Sequence, residues 1–298
     1  MYCMIVKVYR AMGALLMLCA APLVFAAPAI EVVDYLGRTV VLQKPAERIV
    51  ALAPHIVENL FSAGAGSALV GAVGYSDYPE AAKALTRVGQ ISHYNLETII
   101  ELKPDLVVVW MATRGGEVLE TLNRLGINAY ASDPHKLDDV ARSLRDYGRL
   151  AGTEEQAERA AENYLQQLNA LRQRYTSAKP LSVFYEVWSD PLQTLNNDHI
   201  ISDVLRLCGG MNIFGEETVL APIISREALL EKDPAAIVRG GRAAEHAQWA
   251  RAWRAWPQLQ AVAKGHLYTV PGDWIARHTV RILKGAHLIC ENLDTARD

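Results

Sequence analysis

The sequence predicts an α/β protein of two Rossmann-like lobes with mainly parallel sheets, joined by a single long backbone helix. Three observations predict it. Uninterrupted apolar strands alternate with amphipathic helices in both halves of the chain, the pattern of sheets covered on both faces. A stretch free of glycine and proline, 153–178, separates the halves. One helix–proline–strand unit occurs twice, as NLETIIELKPDLVVVW (95–110) and SREALLEKDPAAIVRG (225–240). In each copy an N-cap residue (Asn95, Ser225) precedes an acid in the first turn (Glu97, Glu227), and a proline seven residues beyond that acid (Pro104, Pro234) ends the helix.

Residues 1–26 read as a secretory signal peptide. Lys7 and Arg10 form a short basic region, AMGALLMLCAAPLVF is an apolar run of signal-peptide length, and small residues precede Ala27, where the mature chain is expected to begin. Cys19 offers a lipid-attachment reading, which the bulky Leu18 before it disfavours. No later segment has the roughly 18–20 consecutive apolar residues of a membrane helix, so an exported, soluble protein is expected. Without the leader the formal charge goes from −3 to −5, because that segment carries Lys7 and Arg10 and no acid. The charge is spread without blocks, which gives no sign of nucleic-acid binding. Cys208 and Cys290 remain; an even pair in an oxidising compartment favours a disulfide over two buried thiols, one that would tie the last helix to the middle of the chain.

Residues 27–152 are expected to form the N-terminal lobe. IEVVDY, a turn at LGR and TVVL read as a hairpin, RIVALAP as a buried strand, and HIVENLFSAGA as a helix stopped by glycines. The alternation continues through LVGAVGYSDYP, NLETIIELKP, DLVVVW, EVLETLNRLG and INAYA. The bridging helix, 153–178, opens with a capping box of Thr153 and Gln156 and sets Ala157, Ala160, Ala161, Tyr164, Leu165, Leu168 and Leu171 on one face. In the C-terminal lobe, 179–298, the alternation begins afresh with LSVFYEVW, HIISDVLRLCGG, SREALLEKDP, AAIV, GHLYTVPGDW and a last helix from about Thr279.

Enzyme signatures are missing: there is no G-x-S-x-G, H-E-x-x-H, paired C-x-x-C or phosphate loop, and AGAGSALVG spaces its glycines wrongly for a dinucleotide fold. No catalytic residue, catalytic cofactor or metal site is expected. Two lobes around one helix suggest a cleft that closes on a ligand. Ligands of parallel α/β lobes meet the loops beyond the carboxyl ends of the strands. Those loops hold Pro54 and His55, Tyr75, Asp77 and Tyr78, Trp110, Trp188 and Gln193, and Asp273, Trp274 and Arg277. Aromatics dominate, which suits a large, mostly uncharged and partly planar ligand better than a small anion. Each also has a plainer reading. Trp110 fits core packing as well as a pocket wall, and Asp273 and Arg277, four apart, fit a local ion pair. His55 fits a satisfied helix-start histidine better than a metal ligand. Glu97 and Glu227, taken singly, fit acids complementing helix dipoles.

Taken together, DYLGRTVVLQKPAERIVALAPHIVENLFSAGA, GYSDYP, NLETIIELKPDLVVVW, ISDVLRLCGGMNIF, SREALL and PGDWIAR run in this order from about residue 31 to the end. They resemble the helical-backbone (class III) periplasmic binding proteins of ABC importers, and among them those that bind vitamin B12 (cobalamin). The resemblance implies a periplasmic, monomeric, non-enzymatic carrier with cobalamin or a related corrinoid as its transported ligand. It sets Tyr75 and Trp110 among pocket aromatics, Asp273 and Arg277 among polar groups near the corrinoid, and Cys208 and Cys290 on the family's disulfide. Glu97 and Glu227 fall on the two glutamates that dock onto the membrane permease dimer, so that a pseudo-symmetric protein presents matching acids to a two-fold partner. Ile91, Gln193 and Ala221 stand where further aromatics are expected, with Trp188 and Trp274 nearby to compensate. Haem or a ferric siderophore is the alternative cargo on this scaffold. Haem would take Tyr75, Tyr94 or His55 as its ligand, and an anionic siderophore would need several cations. A bridging helix also implies closure by only a few degrees, since it resists bending where two strands would hinge.

Overall fold

The structure, a computed structural model, describes residues 29–112 and 114–298. The expected signal peptide, with Lys7, Arg10 and Cys19, lies outside the described residues. Strands β1 (Ile30–Val33) and β2 (Thr39–Leu42) pair antiparallel as the expected hairpin. Strand β3 (Ile49–Ala51) is wholly buried and leads into α1 (Pro54–Ser62), whose first turn takes Pro54 because no backbone donor is needed there. Strands β4 (Leu69–Ala72) and β5 (Thr86–Arg87) extend the sheet on one side of β3, and β6 (Gly89–Gln90) with β7 (His93–Tyr94) makes a small hairpin. Helix α2 (Leu96–Glu101) then leads to β8 (Leu106–Trp110) on the other side of β3, and α3 (Gly115–Arg124) to β9 (Ala129–Ser132). The order β5-β4-β3-β8-β9 is parallel throughout. Ile49, Val50, Ala51, Val107 and Val108 are fully buried, as a sheet covered on both faces requires.

Helix α4 (Leu137–Ala151), which the strand pattern does not announce, comes next and turns Leu137, Val140, Ala141, Leu144 and Tyr147 inward. It ends at Gly152, whose φ of +69° is the left-handed conformation that closes a helix. Helix α5 (Glu154–Tyr175) runs for 22 residues, about 33 Å at the usual rise. Its buried stripe, Ala157, Ala161, Tyr164, Leu168, Leu171 and Tyr175, keeps the spacing of four and three that the sequence shows. Helices α4 and α5 touch at Gly148, where any Cβ would lie 2.2 Å from that of Ala157. The expected capping box does not form. The Thr153 hydroxyl donates instead to the Ala63 carbonyl beyond α1 (2.7 Å), a tertiary partner that the turn after α4 brings within reach.

The second sheet opens with β10 (Leu181–Glu186) and a hairpin of β11 (Trp188–Ser189) and β12 (Leu192–Gln193). Helix α6 (Ile200–Leu207) precedes β13 (Gly210–Asn212), α7 (Arg226–Lys232) precedes β14 (Ala236–Gly241), and α8 (His246–Trp253) and α9 (Gln260–Ala263) precede β15 (Leu267–Pro271). Helices α10 (Gly272–Ile275) and α11 (Ile282–Arg297) end the chain. The order β13-β10-β14-β15 is again parallel. Helix α11 starts a little after Thr279, whose hydroxyl accepts from the Arg281 amide (3.2 Å).

The repeated unit takes equivalent places in the two sheets: α2 leads to β8 beside β3, and α7 leads to β14 beside β10. The Asn95 and Ser225 side chains accept from the amides of Thr98 and Ala228, each at 3.1 Å. Lys103 and Asp233, at φ +46° and +37°, turn the chain immediately before the two prolines. One apolar core joins the lobes. It runs from Ile49, Ile56 and Leu60 through Tyr147 of α4 and Tyr164 and Leu168 of α5 to Ile200, Val238 and Ile289. Separate clusters cover the outer face of each sheet. Cys208 and Cys290 are joined in a disulfide that fastens α6 to α11.

Candidate interlobe binding site

The end of β8 meets the segment after β15 at His278, and the segments after β3 and β4 meet that segment at Arg277. Its Nη1 lies 2.7 Å from Glu58 Oε1 and 3.0 Å from Asp77 Oδ1; its Nη2 lies 3.0 Å from Asp273 Oδ1 and donates to the Tyr75 carbonyl at 3.1 Å. The expected Asp273–Arg277 pair is therefore present, but most of what holds Arg277 comes from the opposite lobe. Arg281 adds a two-pronged contact to Glu58, Nη2 to Oε1 at 2.6 Å and Nε to Oε2 at 2.9 Å, and lies 3.9 Å over the Tyr78 ring. Glu58 is a residue that reading the sequence missed. The signal in the sequence was an acid set within the apolar run HIVENLFSAGA; in the fold every residue of α1 from Pro54 to Leu60 is buried, and an acid in such a helix requires a cation to face it. The five groups Glu58, Asp77, Asp273, Arg277 and Arg281 leave one net negative charge, with no cation uncompensated.

Trp110, partly buried at the end of β8, stands edge-on to His55 (5.1 Å between ring centres) and to His278 (6.1 Å). It thus packs on the histidines beneath it and is not wholly covered. His55 lies 5.3 Å from His278, and His199 lies 5.5 Å beyond it. His55 is at the start of α1 but is not the satisfied histidine expected there, for its Nε2 is buried without a hydrogen-bond partner. Burial, and then the positive charge of Arg277, push its pKa down to about 3. Burial likewise pushes His278 well down.

Tyr75 projects with 78% of its surface exposed, on a backbone held at φ +62°. In the other lobe Trp188 is 64% exposed, its indole N–H donating to the Asp190 carbonyl (2.8 Å) within the β11–β12 hairpin. That hairpin is braced from below by Glu186, which accepts from the indoles of Trp249 and Trp253, each at 2.8 Å, and from the Ser189 hydroxyl. The Gln193 amide donates to the Ala221 carbonyl (2.9 Å), so two of the three positions without aromatics are bonded to each other; Ile91, the third, packs on the outer cluster of the first lobe. Trp274 faces α11, with Lys284 Nζ 5.7 Å over its ring, and Pro54 is buried as the first residue of α1. Arg114 pairs with Glu117 at 2.6 Å. Glu97 and Glu227 are exposed in the first turns of α2 and α7. Backbone N–H and the Ser225 hydroxyl hold the Glu227 carboxyl below its ordinary range. Among the described residues no group of three or more His, Cys, Asp and Glu side chains could hold a metal ion.

This geometry can be set beside known proteins. The "Vitamin B12-binding protein" of Vibrio cholerae is 37% identical over 253 residues, 85% of this chain and 91% of the relative. That of Yersinia pseudotuberculosis is 34% identical over 269 residues, 90% of this chain and 94% of the relative. The crystal structure of the periplasmic vitamin B12-binding protein BtuF of Vibrio cholerae superposes with a TM-score of 0.79 over 85% of this chain and 99% of that one. A haem-binding protein from Roseiflexus, 21% identical, shares the fold with a TM-score of 0.74. The family model for periplasmic binding proteins matches residues 49–274, from β3 to α10, just short of Arg277. The chain belongs to the periplasmic binding protein family.

Proposed function

We propose that the chain captures cobalamin or a related corrinoid in the interlobe cleft and delivers it, as a monomer of the periplasm, to the membrane permease dimer of an ABC importer. The observation that carries this reading is the state of Arg277. Three carboxylates surround it, so Arg277 is not a spare cation for an anionic siderophore or for haem carboxylates. A ligand rich in neutral amides can exchange with such a network, its N–H groups going to Asp77 and Asp273 and its carbonyls accepting from Arg277. Tyr75, Trp110 and Trp188 supply flat apolar surface for a macrocycle. The likeness to vitamin B12-binding proteins along most of the chain supports the same cargo. Gln193 fixes the hairpin that presents Trp188, while Trp274, turned to α11, and Pro54, buried in α1, support the wall from behind.

Glu97 and Glu227, exposed at equivalent places on the two lobes, are the groups that would meet the two permease subunits. Residues 1–26 would direct export and be removed before Ala27. One feature favours haem as a second reading, the exposure of Tyr75, since a phenol free of protein partners could serve as an iron ligand. Calorimetric titration of the mature protein with cyanocobalamin, haemin and a ferric siderophore separates the two. One-to-one binding of cyanocobalamin alone, weakened in Trp110→Ala, is the expected result; heat from haemin and none from cyanocobalamin would replace the corrinoid reading with the haem one.

A further inference from the structure

We propose that Glu58 is a positioning residue of the ligand site that acts through Arg277; this rests on the interlobe cleft being where the ligand binds. The three carboxylates around Arg277 are not equivalent. The side chains of Asp77 and Asp273 are 51% and 61% exposed, so water already competes for them and an entering ligand can replace them. Glu58 is 2% exposed and has both oxygens engaged, by Arg277 and by the fork of Arg281, whose own side chains are 12% exposed. A desolvated carboxylate holding two guanidinium groups by short bonds does not exchange them. Glu58 thus fixes the Arg277 guanidinium in the cleft while Asp77 and Asp273 change partners.

The neighbouring residue strengthens the same attachment. Asn59 Nδ2 donates to the His278 carbonyl at 2.9 Å, so α1 holds both the side chain of Arg277 and the backbone just after it. These bonds link residues 219 to 223 positions apart and belong to different lobes. Glu58 is therefore also the point at which the width of the cleft is set: Arg277 can meet the ligand from only one place relative to Tyr75 and Trp110.

The full-length mature protein is titrated calorimetrically with cyanocobalamin as wild type, Glu58→Gln, Glu58→Asp, Arg277→Met and the Glu58→Gln/Arg277→Met double variant, at a temperature where each is folded by circular dichroism. Glu58→Gln is expected to weaken binding on the order of 100-fold, Glu58→Asp by less, and Glu58→Gln to cost nothing further once Arg277 is Met. A Glu58 that only stabilises the fold would lower the melting temperature and leave the affinity of folded protein unchanged, or give losses that add to those of Arg277→Met; either result overturns the proposal. Should Glu58→Gln not fold, Glu58→Asp carries the cycle. Hydrogen exchange without ligand provides an independent reading. Faster exchange in 75–79 and 275–281, with α5 unchanged, is expected in Glu58→Gln, and unaltered exchange there refutes the clamp. If the wild type binds no cyanocobalamin, the cargo reading fails, and the exchange result still decides whether Glu58 holds Arg277.

Discussion

Lowering the pH from 7 to 5 should destabilise the protein through His55. The imidazole is 4% exposed and packed between Trp110 and His278, with Arg277 as the nearby cation and Asp133 as a weaker opposing charge. Its pKa in the fold is about 3, against an ordinary value near 6.5 in the unfolded chain. A depressed pKa means that the unfolded state takes up the proton first. The stability is present in full above pH 6.5 and is lost progressively as the pH falls from there towards 3. Integrated between pH 7 and pH 5, the difference is about 2 kcal/mol for this one group, and His278 acts in the same direction. Urea unfolding of wild type and His55→Gln at the two pH values measures it. The wild type should lose about 2 kcal/mol more than the variant over that interval. Equal losses in the two proteins would show that His55 is not held neutral by burial and would refute the reasoning.

Reduction of the Cys208–Cys290 bond, which closes a loop of 82 positions, should lower stability by about 4.5 kcal/mol on the chain-entropy account, read as a drop in urea midpoint with and without reductant. Glu186→Ala should cost about 3 kcal/mol, because two buried indole N–H groups lose their acceptor; it should also release the Trp188 hairpin, visible as a change in tryptophan emission. Charge reversal at Glu97 and Glu227, exposed on α2 and α7, should leave the melting temperature and the ligand affinity unchanged, while abolishing stimulation of the reconstituted importer. Ligand loss in those variants would place the acids in the site and not on the docking face.

The elements legible in the sequence are those whose burial is regular. Continuous apolar runs such as Leu106–Val109 can only be strands covered on both sides, and the four-three spacing from Ala157 to Leu171 can only be one helix face. The repeated unit is legible because Asn95 and Ser225 cap by local bonds, and local bonds depend on neighbours in sequence. Helix α4 escaped notice although its apolar residues keep helical spacing, because charged residues such as Asp138, Asp139, Arg142 and Arg145 interrupt them and no strand follows it directly. The capping box at Thr153 failed for the opposite reason: a hydroxyl with a choice of partners took one 90 positions away. The same distance hides the centre of the site. Asp273 and Arg277 are four apart and can be paired on inspection, whereas Glu58 meets Arg277 and Arg281 only after both sheets have formed. Trp274 shows that a loop position does not give a direction: its ring is drawn to Lys284 of α11 by a contact that spacing does not encode.

Because a single apolar core passes from the first sheet through α4 and α5 to the second, neither half can melt and leave the other intact. Heating should therefore give one absorption peak where two separate cores would give two. Capture that leaves this shared core intact buries little apolar surface beyond the cargo and the walls that touch it. The heat-capacity change on binding then measures the footprint of the cargo itself, which makes this carrier a gauge of whatever it lifts.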